Sequence, residues 1–152
     1  MELLLVEDDR LQAALYERVF AQVVDVVRVV ESVAAATRLL ARATADSVAD
    51  IVVIDVLLAD GSGFDVLDAL RSRPEHAAVP VVAWSATVLP DDVERGRDDD
   101  RCLVVQKPNG LEELRAFASE IATAGELAAG ATASTPFRFD DLDFGRGSPA
   151  CC

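Results

Sequence analysis

Lysine is almost missing from this chain. Of its 14 basic residues, 13 are arginine and one, Lys107, is lysine. A lone lysine in an arginine-rich, alanine-rich sequence marks a place where the broad, forked guanidinium would not serve. Positive charge as a whole is scarce. Acidic residues number 27 and the formal net charge is −13, which excludes nucleic acid and anionic membrane as direct partners, since both need clustered Lys and Arg. Cysteine is scarce too. Cys102, Cys151 and Cys152 make no disulfide framework, and a reducing, cytoplasmic setting is expected. No apolar run is long enough to span a bilayer. The start, Met1-Glu2-Leu3-Leu4-Leu5-Val6, lacks the basic n-region and cleavage site of a secretory signal and reads as a first strand. Cys151-Cys152 resembles a prenylation signal only superficially and reads as an exposed tail.

What is present is a chain of 152 residues, enough for one domain that buries roughly two-thirds of its unfolded surface. It is organised around Ile51-Val52-Val53-Ile54-Asp55, four β-branched residues closed by a carboxylate. Such a run reads as a strand buried on both faces, the central strand of a parallel sheet. The chain before and after it alternates in period. Leu3–Val6 reads as strand one. Asp9 and Gln12 form a capping box for helix one, whose apolar face is Leu11, Ala14, Leu15 and Val19. Val26–Val30 reads as strand two. Helix two starts after Ser32 with Val33, Ala36, Leu39 and Leu40 at helical spacing. Ser62 and Asp65 cap helix three, which runs from about Gly63 to Leu70 and stops before Arg73-Pro74. Val79–Trp84 is strand four. Helix four begins at Pro90-Asp91-Asp92 and is cut short by Gly96 and Asp98-Asp99-Asp100. Cys102–Val105 is strand five, and Asn109 with Glu112 caps helix five, which buries Leu111, Leu114, Phe117, Ala118 and Ile121. The fold class is therefore α/β, a doubly wound (βα)5 with a parallel five-stranded sheet. The domain is expected over residues 1–124. From Gly125 the composition turns small and polar, then acidic and aromatic over Phe137–Phe144, and 125–152 reads as a mostly disordered tail.

The chemistry gathers at strand ends. Glu7-Asp8 follows strand one as Asp55 ends strand three, and in open parallel sheets ligands sit in the crevice beyond the carboxyl ends. Asp55 is spared from capping because Ser62 does that work. Unpaired, two such carboxylates ~4 Å apart cost about 4 kcal/mol at an effective dielectric of ~20. Something positive must sit among them, and the sequence offers a divalent cation and Lys107. Oxygen-only ligands with room for water and phosphate suit Mg²⁺. Ser85 ends strand four and Lys107-Pro108 ends strand five. They bring a hydroxyl and an ammonium, donors for an oxyanion, to the same edge.

This pattern resembles the receiver domain of bacterial two-component response regulators over residues 1 to about 124. The resemblance rests on Leu5-Val6-Glu7-Asp8-Asp9, on Val53-Ile54-Asp55 through Asp60-Gly61-Ser62-Gly63, on Ser85-Ala86 and on Gln106-Lys107-Pro108. It implies the flavodoxin-like strand order 2-1-3-4-5. It implies that Asp55 accepts a phosphoryl group from a histidine kinase or histidine phosphotransfer protein. It further implies that Asp8, Asp55 and the Leu57 carbonyl bind Mg²⁺, with Glu7 acting through water. Ser85 and Lys107 would contact the acyl phosphate, and the Lys107–Pro108 bond would be cis. Such a protein is a signalling acceptor rather than an enzyme, and acts by contact with a protein target. Its homodimerisation is left open by the sequence. His76, the single histidine, takes no phosphotransfer role. Three departures stand out: Glu-Asp for the commoner Asp-Asp at 7–8, Ala59 where proline is usual, and Val104 where an aromatic commonly switches.

Other readings fit less well. A haloacid dehalogenase-type phosphatase wants a second aspartate at position 57, which is leucine. A flavodoxin needs a phosphate-cradling loop after strand one, where Glu7-Asp8 would repel phosphate. The serious alternative is a receiver-fold adaptor that works without phosphorylation, left open by Val104 and the short helix four and opposed by the intact Asp55–Lys107 set.

Overall fold

The computed structural model describes residues 1–43, 49–131 and 137–139. Its frame is five parallel strands: β1 Glu2–Val6, β2 Val26–Val30, β3 Ile51–Asp55, β6 Val81–Ser85 and β7 Cys102–Gln106, in the order β2-β1-β3-β6-β7. In strand count alone this is the expected order 2-1-3-4-5. Between β3 and α3 a small antiparallel pair intervenes, β4 Leu57–Leu58 and β5 Gly61–Ser62. Every residue of β3 is buried, as a strand with helices on both faces requires. Its four aliphatic side chains contribute about 1.5–3 kcal/mol each on transfer from water.

Five α-helices cover the sheet. They are α1 Arg10–Phe20, α2 Val33–Arg42, α3 Gly63–Arg71, α4 Pro90–Arg97 and α5 Leu111–Ala129. One face packs α1 and α5 over Leu3, Leu5, Val53, Val82 and Trp84. The other packs α2 and α3 over Leu4, Val6, Val52, Ile54 and Val81, with Val104 of β7 at its margin.

Several local expectations change. Helix α1 buries Ala13, Tyr16, Val19 and Phe20, while Leu11 is 86% exposed and Leu15 46%. The helix turns Tyr16 and Phe20 inward in place of Leu11 and Leu15, with Val19 buried as expected. Tyr16 and Phe20 both pack on Trp84, and two aromatic rings bury more area than two leucines. Helix α4 is short as expected, ending at Arg97 with Asp98 as its cap, but Gly96 is also buried against β7, where a β-carbon would stand 2.3 Å from Val104. The glycine thus sets a close helix–strand approach one residue before the helix ends. The cap of α5 is Gly110, at φ 98°, and not Asn109, whose N–H donates to Glu113 instead. Leu111 stays exposed. No described peptide bond is cis, so Lys107–Pro108 is trans. The chain reverses at Gly110, and no isomer beyond the ordinary preference is needed.

The expected boundary at 124/125 also moves. Helix α5 runs on to Ala129, with Ala124 and Gly125 buried. Phe137 and Phe139 are buried in the cluster that holds Trp84 and Phe117, their rings 5.1 Å apart in a T-shaped contact. The rest of the expected disordered tail, 132–136 and 140–152, lies outside the described residues. His76 ends a 3-10 turn, Pro74–His76, and is fully buried, with neither ring nitrogen hydrogen-bonded among the described residues.

Candidate functional site

The site lies beyond the carboxyl ends of β1, β3, β6 and β7. Glu7 directly follows β1 and its N–H donates to Val30 of β2, which holds it in sheet register. Asp55 is the last residue of β3, paired with Trp84 of β6. Lys107 directly follows β7 and its N–H donates to the Ser85 carbonyl. Register sets Glu7 beside Asp55, and Lys107, two strands from β3, reaches them across the sheet edge with its long side chain.

Lys107 Nζ donates to Asp55 Oδ2 at 2.6 Å and to Glu7 Oε2 at 2.8 Å. A third acceptor, Gln12 Oε1 of α1, stands at 3.4 Å. Asp55 Oδ1 accepts from the Leu57 N–H at 3.0 Å, and Glu7 Oε1 accepts from the Asp9 N–H at 3.3 Å. Asp8 Oδ2 accepts from the Ala59 N–H at 2.8 Å. That bond exists because position 59 is not proline, which has no N–H to give. Oxygens of Glu7, Asp8 and Asp55 lie within 4.8 Å of one another.

Charge at this cluster does not balance. Glu7 is only 1% exposed, and burial raises its carboxyl pKa more than the hydrogen bond from Lys107 lowers it. Burial by itself lowers the pKa of Lys107, but its bonds to Asp55 and Glu7 prevail and hold it above the ordinary lysine value. One ammonium is shared by carboxylates that outnumber it, so the lysine gains and the carboxylates remain short of positive charge. A closely spaced, oxygen-only set of this kind suits a hard divalent cation.

Ser85 is buried at the end of β6. Its Oγ accepts from the Thr87 N–H at 3.4 Å, and no hydrogen bond joins it to the carboxylates or to Lys107 among the described residues. Leu57 lies in β4 with its side chain exposed.

Some neighbours of the site were not foreseen. Gln12 and Tyr16 of α1 and Trp84 of β6 surround the Lys107 ammonium, the two rings centred 5.7 Å from Nζ. Their spacing at i, i+4 was a usable signal, hidden by the leucines on the opposite side of α1. Asp60 was unforeseen as well. It accepts from the N–H groups of Val33 and Ala34 at 2.9 and 3.0 Å, tying the loop after Asp55 to the start of α2. Those bonds lower its carboxyl pKa.

The fold matches known structures. The chain is similar to the phosphorylated cyanobacterial phytochrome response regulator RcpA, with 24% identity, a TM-score of 0.72 and coverage of 86% of this chain and 96% of that one. It is similar to the Mn²⁺-bound form of response regulator Rcp1, at 23% identity, TM-score 0.67 and 80% and 91% coverage. It is also similar to the chemotaxis response regulator CheY4 of Vibrio cholerae, at 16% identity, TM-score 0.65 and 79% and 97% coverage. No curated protein matches the sequence. No helix among the described residues is long and apolar enough to cross a membrane. The response regulator receiver domain model matches residues 3–119, and with the strand order and the acidic cluster already in place, the chain belongs to that family.

Proposed function

We propose that this protein is a phospho-accepting response regulator in which Asp55 is the phosphoryl acceptor and a histidine kinase or histidine phosphotransfer protein is the donor. The observation that carries this reading is the position of Lys107, whose ammonium bonds Asp55 and Glu7 together at 2.6 and 2.8 Å. The nucleophile is thereby held against a cation at the mouth of the sheet. In the reaction an Asp55 carboxylate oxygen attacks the phosphorus of a phosphohistidine. A P–O bond forms as the P–N bond breaks, and the electron pair leaves with the imidazole. Lys107 faces the charge that develops on the phosphoryl oxygens. The N–H of Leu57, bonded to Asp55 Oδ1, orients the carboxylate and leaves its other oxygen toward Lys107. Ser85, unattached to the carboxylates in the resting form, is the donor free to turn toward a phosphoryl oxygen.

Asp8 and Asp55, with the Leu57 carbonyl and with Glu7 through water, are the residues that would hold Mg²⁺. When bound, the ion neutralises charge on the transferring group. The acidic excess around Lys107 fits that role. The output is a change in protein–protein contacts. The test is intact mass after incubation with acetyl phosphate or phosphoramidate and Mg²⁺. The expected result is a gain of one phosphoryl group that Asp55→Asn abolishes and chelation prevents. Equal labelling of wild type and Asp55→Asn would end this reading. A wild type that stays unlabelled would favour a phosphorylation-independent adaptor.

A further inference from the structure

We propose that Gln12, Tyr16 and Trp84 are positioning residues for Lys107, forming a cradle that fixes the ammonium toward Asp55 and Glu7 before any phosphoryl group arrives. The inference rests on the reading of Asp55 as phosphoryl acceptor.

The geometry is complete from three sides. An ammonium has three N–H donors, and Lys107 meets three oxygens: Asp55 Oδ2, Glu7 Oε2 and, at 3.4 Å, Gln12 Oε1. The orientation of the Gln12 amide follows from its other partners. Its Nε2 donates to Oδ2 of Asp9, the α1 cap, at 3.3 Å. Its Oε1 accepts from the Tyr16 hydroxyl at 2.8 Å. With the NH₂ end directed to a carboxylate, the oxygen end must face Tyr16 and Lys107. The two rings supply the remaining wall. Tyr16 and Trp84 lie 4.6 Å apart at 53°, and the ammonium is 5.7 Å from each centroid, inside the roughly 6 Å reach of a cation–π contact. Trp84 is fully buried and stacks on Phe117 at 5.6 Å, so its ring is packed and its face poorly hydrated. A desolvated aromatic face attracts a cation more strongly than an exposed one.

The consequence is pre-organisation. Lysine carries its charge on a flexible stem, and a stem that wandered would have to be collected during the reaction. Here the side chain is only 10% exposed, and besides Asp55 and Glu7 its head meets Gln12, Tyr16 and Trp84, which take no part in phosphoryl transfer. Fixed donors aimed at developing charge need no reorganisation at the moment of reaction.

Lys107 is the only lysine, so lysine-selective ¹³C,¹⁵N labelling of the full chain reports on it alone. Ring currents should place its ε-methylene protons upfield of free lysine. Trp84→Leu should return them toward the free value. Tyr16→Phe keeps a ring and the fold but loses the hydroxyl, and Gln12→Leu removes the amide. Both should leave the upfield shift while speeding ammonium proton exchange. Each should slow Asp55 labelling by acetyl phosphate about tenfold, as small misplacement of a reacting group does. In a Lys107→Ala background neither should slow it further. A wild-type lysine signal at the free-lysine position overturns the cradle, whether or not Asp55 is labelled. Slowing of equal size in the Lys107→Ala background overturns it too, because the effect then bypasses the lysine. An unlabelled wild type with an upfield, variant-sensitive signal supports the cradle and instead overturns the acceptor reading.

Discussion

A β-carbon on Gly63 would stand 2.2 Å from the carbonyl oxygen of Asp55. The first residue of α3 thus rests directly on the backbone of the proposed acceptor, and the Gly63 N–H donates to Val56 at 2.9 Å. Helix propensity alone favours alanine over glycine by about 1 kcal/mol. Contact with rigid backbone reverses that sign, since the clash can be relieved only by moving α3 off β3. Gly63→Ala should destabilise the protein by about 2 kcal/mol, in the range of overpacked interiors, and should slow labelling of Asp55. Urea unfolding measures the first effect. An unchanged or higher midpoint would show that α3 is free to shift.

His76 predicts a pH dependence. Burial, opposed by Glu75 and aided by Arg73, lowers its pKa below the ordinary histidine value. The unfolded chain therefore binds a proton that the folded chain refuses. The stability from neutral His76 is fully present above the unfolded value of about 6.5. It is lost as pH falls from there toward the lower folded value. One proton gives a slope of at most about 1.4 kcal/mol per pH unit. Between pH 7 and roughly 5.5, above the main carboxylate range, wild type should lose stability, and His76→Leu should show a flatter profile. Parallel profiles for the two proteins would exclude the histidine as the cause.

The burial of Phe137 and Phe139 gives the segment after α5 a stability prediction of its own. Both are buried, at 5% and 6% exposure. Core Phe→Ala changes cost about 3–5 kcal/mol each, less where the contact is a single segment laid on a surface. The double variant Phe137→Ala/Phe139→Ala should lose about 3 kcal/mol by urea unfolding and keep the far-UV spectrum of wild type. No change in midpoint would place these rings outside the cooperative unit.

Which features were legible follows from how many residues each one needs. The five strands and the acidic edge depend on five apolar runs and on what ends them, and both could be read from Ile51–Asp55 outward, whereas the strand order came from the family resemblance. Glu7 and Asp55 meet because parallel register aligns neighbouring strand ends, and Lys107 joins them because its side chain is long enough to reach from two strands away. The rotation of α1 depends on one contact, the packing of Tyr16 on Trp84 across more than sixty positions, and helical periodicity is silent about such pairs. Leu11 and Leu15 therefore seemed inward, and the Gln12–Tyr16 side of the cradle was lost with them. The burial of His76 and of Phe137 and Phe139 was hidden for the same reason. Each is fixed by long-range packing on a segment with no period of its own.

Lys107→Arg tests why the one lysine is a lysine. Nζ reaches two carboxylates at 2.6 and 2.8 Å while standing 5.7 Å from the Tyr16 and Trp84 rings. A compact ammonium fits that space. A guanidinium is broad and planar, with its donors in a fixed fork, and it would satisfy the carboxylates only by displacing the rings or tilting out of the cradle. Charge is conserved, so Lys107→Arg should fold, bind Mg²⁺ and accept phosphate slowly. Geometry is not conserved, so phosphate should no longer be tied to the strand end at Lys107. Trp84, the only tryptophan, lies between the ammonium and Phe117 and reports on both. In wild type its fluorescence should change on adding beryllofluoride with Mg²⁺. In Lys107→Arg the change should be less than about a third as large at saturating ligand, because misplaced donors lose most of their effect. A mutant equal to wild type in both affinity and amplitude would show that any nearby positive charge suffices, and the scarcity of lysine elsewhere in the chain would then say nothing about position 107.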